Sequence, residues 1–310
     1  VGVAHPDDDL FFLNPEIRRT IRAGCPVDTV YLTAGDGGIK DRLKASEYVD
    51  RRKYGVRAAY AEMAEAANRW ERADVSADGV RTRSYRLADD ARDTDVRLTF
   101  LDLHDGLPRG QEPDSLLRLF DGRRKSIEPF QNTRSYTEDR LLHVVSALVR
   151  LSRATRVLTM GHDNASFAFG LGGGVDHSGH GIGARYFRRV GYALGVPVSS
   201  YLGYTMSSLK ENLSPGASAE KDEVARWYLA HRKCRATGTC AKRHCLRGPF
   251  PEGLESVDPP AVPADSPGSA RRGDPWRHRT DHVLHRKGSG TVPPRCHRAH
   301  ERRYGQHPRL

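Results

Sequence analysis

The chain has 310 residues, 37% hydrophobic and 29% charged, with a formal net charge of +11. No apolar run approaches the roughly 18 residues that a membrane-spanning helix needs. The charge does not make the whole chain a polyanion binder: residues 231–310 hold 17 Lys and Arg against 7 Asp and Glu, leaving 33 against 32 for residues 1–230, so the basic character belongs to the tail.

The first residues, Val1-Gly2-Val3-Ala4, read as an apolar strand running into His5-Pro6-Asp7-Asp8-Asp9. Because it opens inside a core strand, the sequence reads as a fragment, and its compartment, cytoplasmic or exported, stays open. A continuous apolar strand marks a parallel sheet, and ligands in open α/β sheets sit beyond the carboxyl ends of such strands. Pro6 fixes its own φ and biases His5 toward extended backbone, so the strand ends in a rigid corner. Three adjacent carboxylates repel one another unless a cation or hydrogen-bond donors neutralise them. Neutral imidazole with carboxylate oxygens suits Zn²⁺ with a position left for water, another divalent metal being the alternative. The bland reading is that Asp7, Asp8 and Asp9 only introduce the next helix, where Asn14 looks like an N-cap followed by Pro15 at the first helical position.

At these residues the chain resembles a known family. Ala4-His5-Pro6-Asp7-Asp8, followed by an acid at Asp9, is similar to the Ala-His-Pro-Asp-Asp-Glu signature of the PIG-L/LmbE-like zinc-dependent N-acetylglucosaminyl deacetylases, with Asp9 in place of the usual Glu.

Further along, Asn14 to Gly24 has the pattern of a short amphipathic helix ending at glycine, and Val27 to Ala34 that of a second parallel strand. The turn Gly35-Asp36-Gly37-Gly38 lacks the spacing of a phosphate-binding loop and reads as a plain loop; in the family resembled, a loop here borders the active site, which makes Asp36 a substrate-side or supporting residue. Ser46 to Trp70 is the longest helical pattern, its Tyr60 and Met63 stripe reading as core. Val80 to Leu87 alternates as an exposed strand does, and Val96 to Leu103 reads as a buried strand ending in His104-Asp105-Gly106. For His104 we expect a loop or supporting role, since a lone histidine is weak evidence for a ligand. Asp139 to Arg153 reads as an amphipathic helix, Val157 to Met160 as a short buried strand, Val198 to Tyr204 as a last strand and Ala217 to His231 as a last helix. Strands alternating with helices predict an α/β, Rossmann-like, mostly parallel sheet with helices on both faces, an arrangement that by itself implies no dinucleotide.

The second half of the site follows Met160. A glycine-rich loop carrying His162 leads to Val175-Asp176-His177-Ser178-Gly179-His180 at the start of a helix running toward Leu194. Such a helix start can bring distant histidines back to the first corner, although on this segment alone plain helix-start polarity is as good a reading. The family's second signature ends in Asp-His, matched by Asp176-His177. The resemblance, which covers about residues 1 to 230, thus implies His5, Asp8 and His177 as metal ligands and Asp7 as general base, with Asp176 and Asp9 supporting them from behind. The family's oxyanion-assisting histidine would fall at Gly174, so His180 or His162 has to replace it.

The expected activity is hydrolysis of an acetyl group from an N-acetylated amine, a small-molecule N-acetylated sugar or glycoconjugate; the alternative is a catalytically silent carbohydrate-binding relative. Residues 1–245 are expected to form the domain, and residues 246–310, rich in Pro, Arg and His, a disordered basic tail. With almost no aromatic interleaving, this tail gives little reason to expect nucleic acid as partner; its composition also resembles a shifted reading frame. Cys25 is alone in the body, while Cys234 and Cys240 could close a small disulfide in an exported protein, or Cys240, His244 and Cys245 could bind a metal, although neither spacing is a recognised zinc pattern. The oligomeric state is not readable.

Overall fold

The computed structural model describes residues 1–77, 79–88, 94–130, 134–161, 176–208 and 213–232. The fold is α/β. Its elements, in chain order, are β1 (Gly2–Val3), α1 (Asp8–Phe12), α2 (Glu16–Arg22), β2 (Val27–Thr33), α3 (Arg42–Met63), β3 (Trp70–Arg72), β4 (Val75–Ala77), β5 (Val80–Leu87), β6 (Val96–Leu103), α4 (Leu116–Phe120), α5 (Glu138–Leu151), β7 (Val157–Met160), α6 (Ser178–Leu194), β8 (Val198–Tyr201), a 3-10 turn (Tyr204–Ser208) and α7 (Pro215–His231).

The sheet runs β3-β5-β6-β2-β1-β7-β8, with β4 paired to β5. From β6 to β8 every pairing is parallel, and β5 then joins β6 antiparallel. Numbered along the chain, the five parallel strands stand in the order 3-2-1-4-5, that of a Rossmann-like sheet, and the direction of winding reverses between β1 and β7. The helices following those two strands leave toward opposite faces there, so a crevice opens beyond the strand ends.

Two cores line the two faces. Along β2 the side chains alternate with a period of two: Val27 and Tyr31 join Leu10, Ile17, Tyr60 and Tyr228 on one face, whereas Val30 and Leu32 join residues of α4, α5 and α6 on the other. The five parallel strands read as apolar runs because they are covered on both sides. No helix among the described residues is long and apolar enough to cross a membrane.

Several boundaries differ from the sequence reading. The long helix starts at Arg42, not Ser46, because the Asp41 carboxylate accepts from the backbone N–H of Leu43 (3.0 Å) and Lys44 (3.1 Å). It ends at Met63, and Trp70 belongs to a strand. Asp8 opens a five-residue helix that was not expected, and Pro15 rather than Asn14 occupies the cap of α2. Asn14 instead joins the two helices, donating to the Leu10 carbonyl at 3.3 Å and accepting from Arg18 N–H at 3.1 Å. The strand expected to be exposed at Val80–Leu87 lies between β3 and β6 and is alternately buried. Cys25 is disulfide-bonded. Cys234, Cys240, His244, Cys245 and the tail from 246 lie outside the described residues.

Candidate metal centre

The strand β1 stops at Val3, and the chain then folds back on itself. The His5 carbonyl accepts from Asp7 N–H at 2.9 Å and from Asp8 N–H at 3.2 Å, a turn that puts Asp7 at φ 149°, a conformation L-residues rarely adopt. Such backbone persists only where its surroundings over-determine it. Here Arg52 of α3 forms an ion pair with Asp7 Oδ1, and the Tyr228 hydroxyl of α7 donates to Asp7 Oδ2 at 2.9 Å. Arg52 also donates to the carbonyls of Gly35 (2.7 Å) and Pro6 (3.3 Å), so one guanidinium ties the ends of β1 and β2 together. Gly35 has a positive φ, and a β-carbon there would overlap that guanidinium.

The three acids of the corner point in different directions. Asp8 turns inward, its Oδ2 accepting from His5 N–H at 2.7 Å and lying 3.1 Å from His5 Nδ1. Asp9 turns away into the core, where Oδ2 accepts from the hydroxyls of Tyr31 (2.6 Å) and Tyr60 (2.7 Å). Burial pushes the Asp9 carboxyl up to about 7 against the pull of those two hydroxyls. Asp9 therefore anchors α1 to β2 and α3.

The second half comes from the start of α6. His177 caps this helix, its Nδ1 accepting from Gly179 N–H at 3.0 Å. Asp176 Oδ1 accepts from His177 N–H at 2.8 Å and lies 2.7 Å from His180 Nδ1, one turn further on. Gly179 lets this helix end approach the first corner, since a β-carbon would sit 3.0 Å from the His5 ring. Ring centroids of His5 lie 4.5 Å from those of His177 and 5.2 Å from those of His180.

The end of β6 supplies a residue that the sequence reading passed over. Asp105 Oδ1 lies 3.6 Å from His5 Nε2 and 3.4 Å from His177 Nε2. Behind it, Asp36 accepts from Asp105 N–H at 2.6 Å and pairs with His104 Nδ1 at 3.1 Å. Asp36 and His104 thus join the ends of β2 and β6. Its signal in the sequence is a carboxylate just beyond the end of a buried strand.

Among the described residues, two sets of three have ligand atoms within 4.8 Å of one another: His5, Asp8 and His180, and His5, Asp105 and His177. The expected set of His5, Asp8 and His177 is divided between them. His162 and Gly174 lie outside the described residues.

The first set has the properties of a cation site. His180 Nε2 stands 3.0 Å from Asp8 Oδ1, is buried, and has no hydrogen-bond partner among the described residues; His5 Nδ1 lies 3.1 Å from the same carboxylate. With the Nδ1 proton of His180 directed at Asp176, its Nε2 presents a lone pair to a carboxylate oxygen, so a proton or a metal cation has to stand between them. Without a metal, protons fill that place. Burial alone would lower His5, but Asp8 and Asp105 outweigh it and hold it up at about 9; His180 is likewise raised, against its burial, by Asp8 and Asp176. Burial and the neighbouring His5 instead push His177 down to about 4, which keeps it neutral.

A family model, PIG-L: GlcNAc-PI de-N-acetylase, matches residues 1–186. Among solved structures, the zinc inhibited form of teicoplanin deacetylase Orf2 is similar at 12% identity and a TM-score of 0.40, over 73% of this chain and 82% of that one. No curated protein matches.

Proposed function

We propose that this chain, which belongs to the PIG-L family, removes the acetyl group from an N-acetylated sugar with the aid of Zn²⁺ held by His5, Asp8 and His180. Family membership makes the chain an enzyme of the deacetylase type; the metal, its ligands and the sugar are our reading. The observation that carries it is the convergence of three buried donors of which one, His180, already has its other nitrogen tied to a carboxylate. This reading takes His180 as third ligand and gives His177, neutral and turned toward Asp105, the place of the donor to the developing oxyanion.

Bound there, a divalent cation lowers the pKa of water and polarises an amide carbonyl. The chain supplies the rest. Asp7, the acid of the corner that is neither a ligand nor turned into the core as Asp9 is, accepts the proton of the attacking water and returns it to the leaving amine. Arg52 and Tyr228 hold its two oxygens in place for that exchange. His177 Nε2–H meets Asp105 only at 3.4 Å, beyond ordinary hydrogen-bond length, and can be shared with an oxygen that gains charge, a contribution that grows as water is excluded. The products are acetate and a free amine.

The test is metal content and acetate release from a panel of N-acetylglucosaminides, measured on the full chain. About one zinc per chain is expected. His180→Ala should lose both metal and turnover, and Asp7→Asn should keep the metal while kcat falls by about 10²–10⁴-fold. A protein whose zinc survives His180→Ala but not His177→Ala would return the ligand role to His177. A chain that takes up no zinc would leave Asp7, Asp8 and Asp9 as the opening of a helix.

A further inference from the structure

Asp105 leaves β6 with its position fixed from both sides. Its backbone N–H donates to Asp36 at 2.6 Å, and its own Oδ1 accepts from Leu107 N–H at 2.9 Å. The residue is 7% exposed. The same oxygen faces the Nε2 atoms of two histidines on two other elements, at 3.6 Å for His5 and 3.4 Å for His177.

A neutral imidazole carries one N–H, and which nitrogen bears it is set by what the other faces. The Nδ1 of His177 accepts from Gly179 N–H, so the His177 proton is on Nε2 and points at Asp105. The Nδ1 of His5 lies 3.1 Å from Asp8. To give that lone pair to a cation beside Asp8, His5 must carry its proton on Nε2, and among the described residues the carboxylate facing that atom is Asp105. At 3.6 Å the contact is ionic, and a small rotation of the ring brings it into the hydrogen-bond range of about 2.7–3.2 Å. His180 repeats the arrangement with Asp176 on its Nδ1. Both ligand imidazoles are then backed by a carboxylate, each on the nitrogen that the cation does not use.

We propose that Asp105 is a positioning residue of the metal centre: it fixes His5 as the Nε2–H tautomer, so that Nδ1 faces the cation, and orients the Nε2–H of His177 across the same oxygen. This rests on the metal-centre reading above. Asp105→Asn keeps an acceptor for Leu107 N–H while removing the charge. In competition with a chromophoric chelator, the full-length variant is expected to bind Zn²⁺ about 10–100-fold more weakly than the unaltered chain, a loss that a merely structural residue, which moves only the thermal midpoint, would not produce.

Imidazole ¹⁵N resonances of the zinc-loaded, unaltered chain give a second reading that does not depend on the variant folding. His5 should show a protonated Nε2 and a metal-bound Nδ1. Zinc affinity of Asp105→Asn within about twofold of the unaltered chain, well short of the loss expected for such a partner, overturns the proposal, as does coordination through His5 Nε2. An unaltered chain that binds no zinc overturns the metal-centre reading itself.

Discussion

A carboxylate behind a histidine acts at one remove from whatever the histidine holds, and Asp176 is the clearest case in the chain. Asp176→Asn should weaken Zn²⁺ binding about 10–100-fold, read by chelator competition. His104 tests a different pairing. Its hydrogen bond to Asp36 raises it above the ordinary 6.5 against partial burial. A histidine raised by folding adds stability that is fully present below the unfolded value and is lost as pH rises through the folded one. The stability difference between the unaltered chain and His104→Gln, from urea midpoints, is therefore expected to shrink as pH climbs from about 6.5 upward. A third case is a buried ion pair, in which Lys53 Nζ lies 2.5 Å from Asp102 Oδ1. Lys53→Met leaves the carboxylate alone and should cost about 3–5 kcal/mol in denaturant unfolding, much of which Asp102→Asn recovers in the double variant. At this scale the kinds of donor were legible in the sequence, since His5, Asp7, Asp8 and His180 stand in recognisable runs. Which of His177 and His180 meets Asp8 was not, because it depends on His177 being the cap, with its ring turned back onto Gly179.

Elements place those residues, and glycine marks where they come close. Gly55 stands in the middle of α3, where it costs about 1 kcal/mol relative to Ala. The reason lies in α7: a β-carbon at Gly55 would meet the Tyr228 ring and carbonyl at 2.9 Å. Since Tyr228 also holds Asp7, Gly55→Leu should lower stability by about 1–3 kcal/mol despite better helix propensity, and should reduce acetate release more than metal content. Calorimetry beside the two assays separates these effects. β2, β6 and β7 were legible because strands buried on both faces are continuous apolar runs. The helices α1 and α4, five residues each, carry no period to detect. The start of α3 was hidden because Leu43, in its first turn, is 79% exposed, so the helix is set there by the Asp41 cap and not by an apolar stripe.

For the whole molecule, alternation of strands and helices predicted the class of fold, but the order of strands is a matter of pairing that no periodicity encodes. The strands β1 and β7 are neighbours, and this places the corner at His5 opposite the start of α6. Charge is arranged on the same scale, with a nearly neutral body and 17 Lys and Arg in residues 231–310. A chain ending at 245 loses 12 of those 17 and is expected to bind heparin more weakly while keeping zinc and acetate release, and loss of turnover on that truncation would move the domain boundary. The switch between β1 and β7 also governs the order of events as the protein is made. His5 and Asp8 leave the ribosome with the first parallel strand, whereas His180 is synthesised only after four of the five. On the ligand set proposed above, a cation that needs all three cannot be captured by the nascent chain until β7 has been made to pair with β1, so metal uptake would follow the pairing of those two strands.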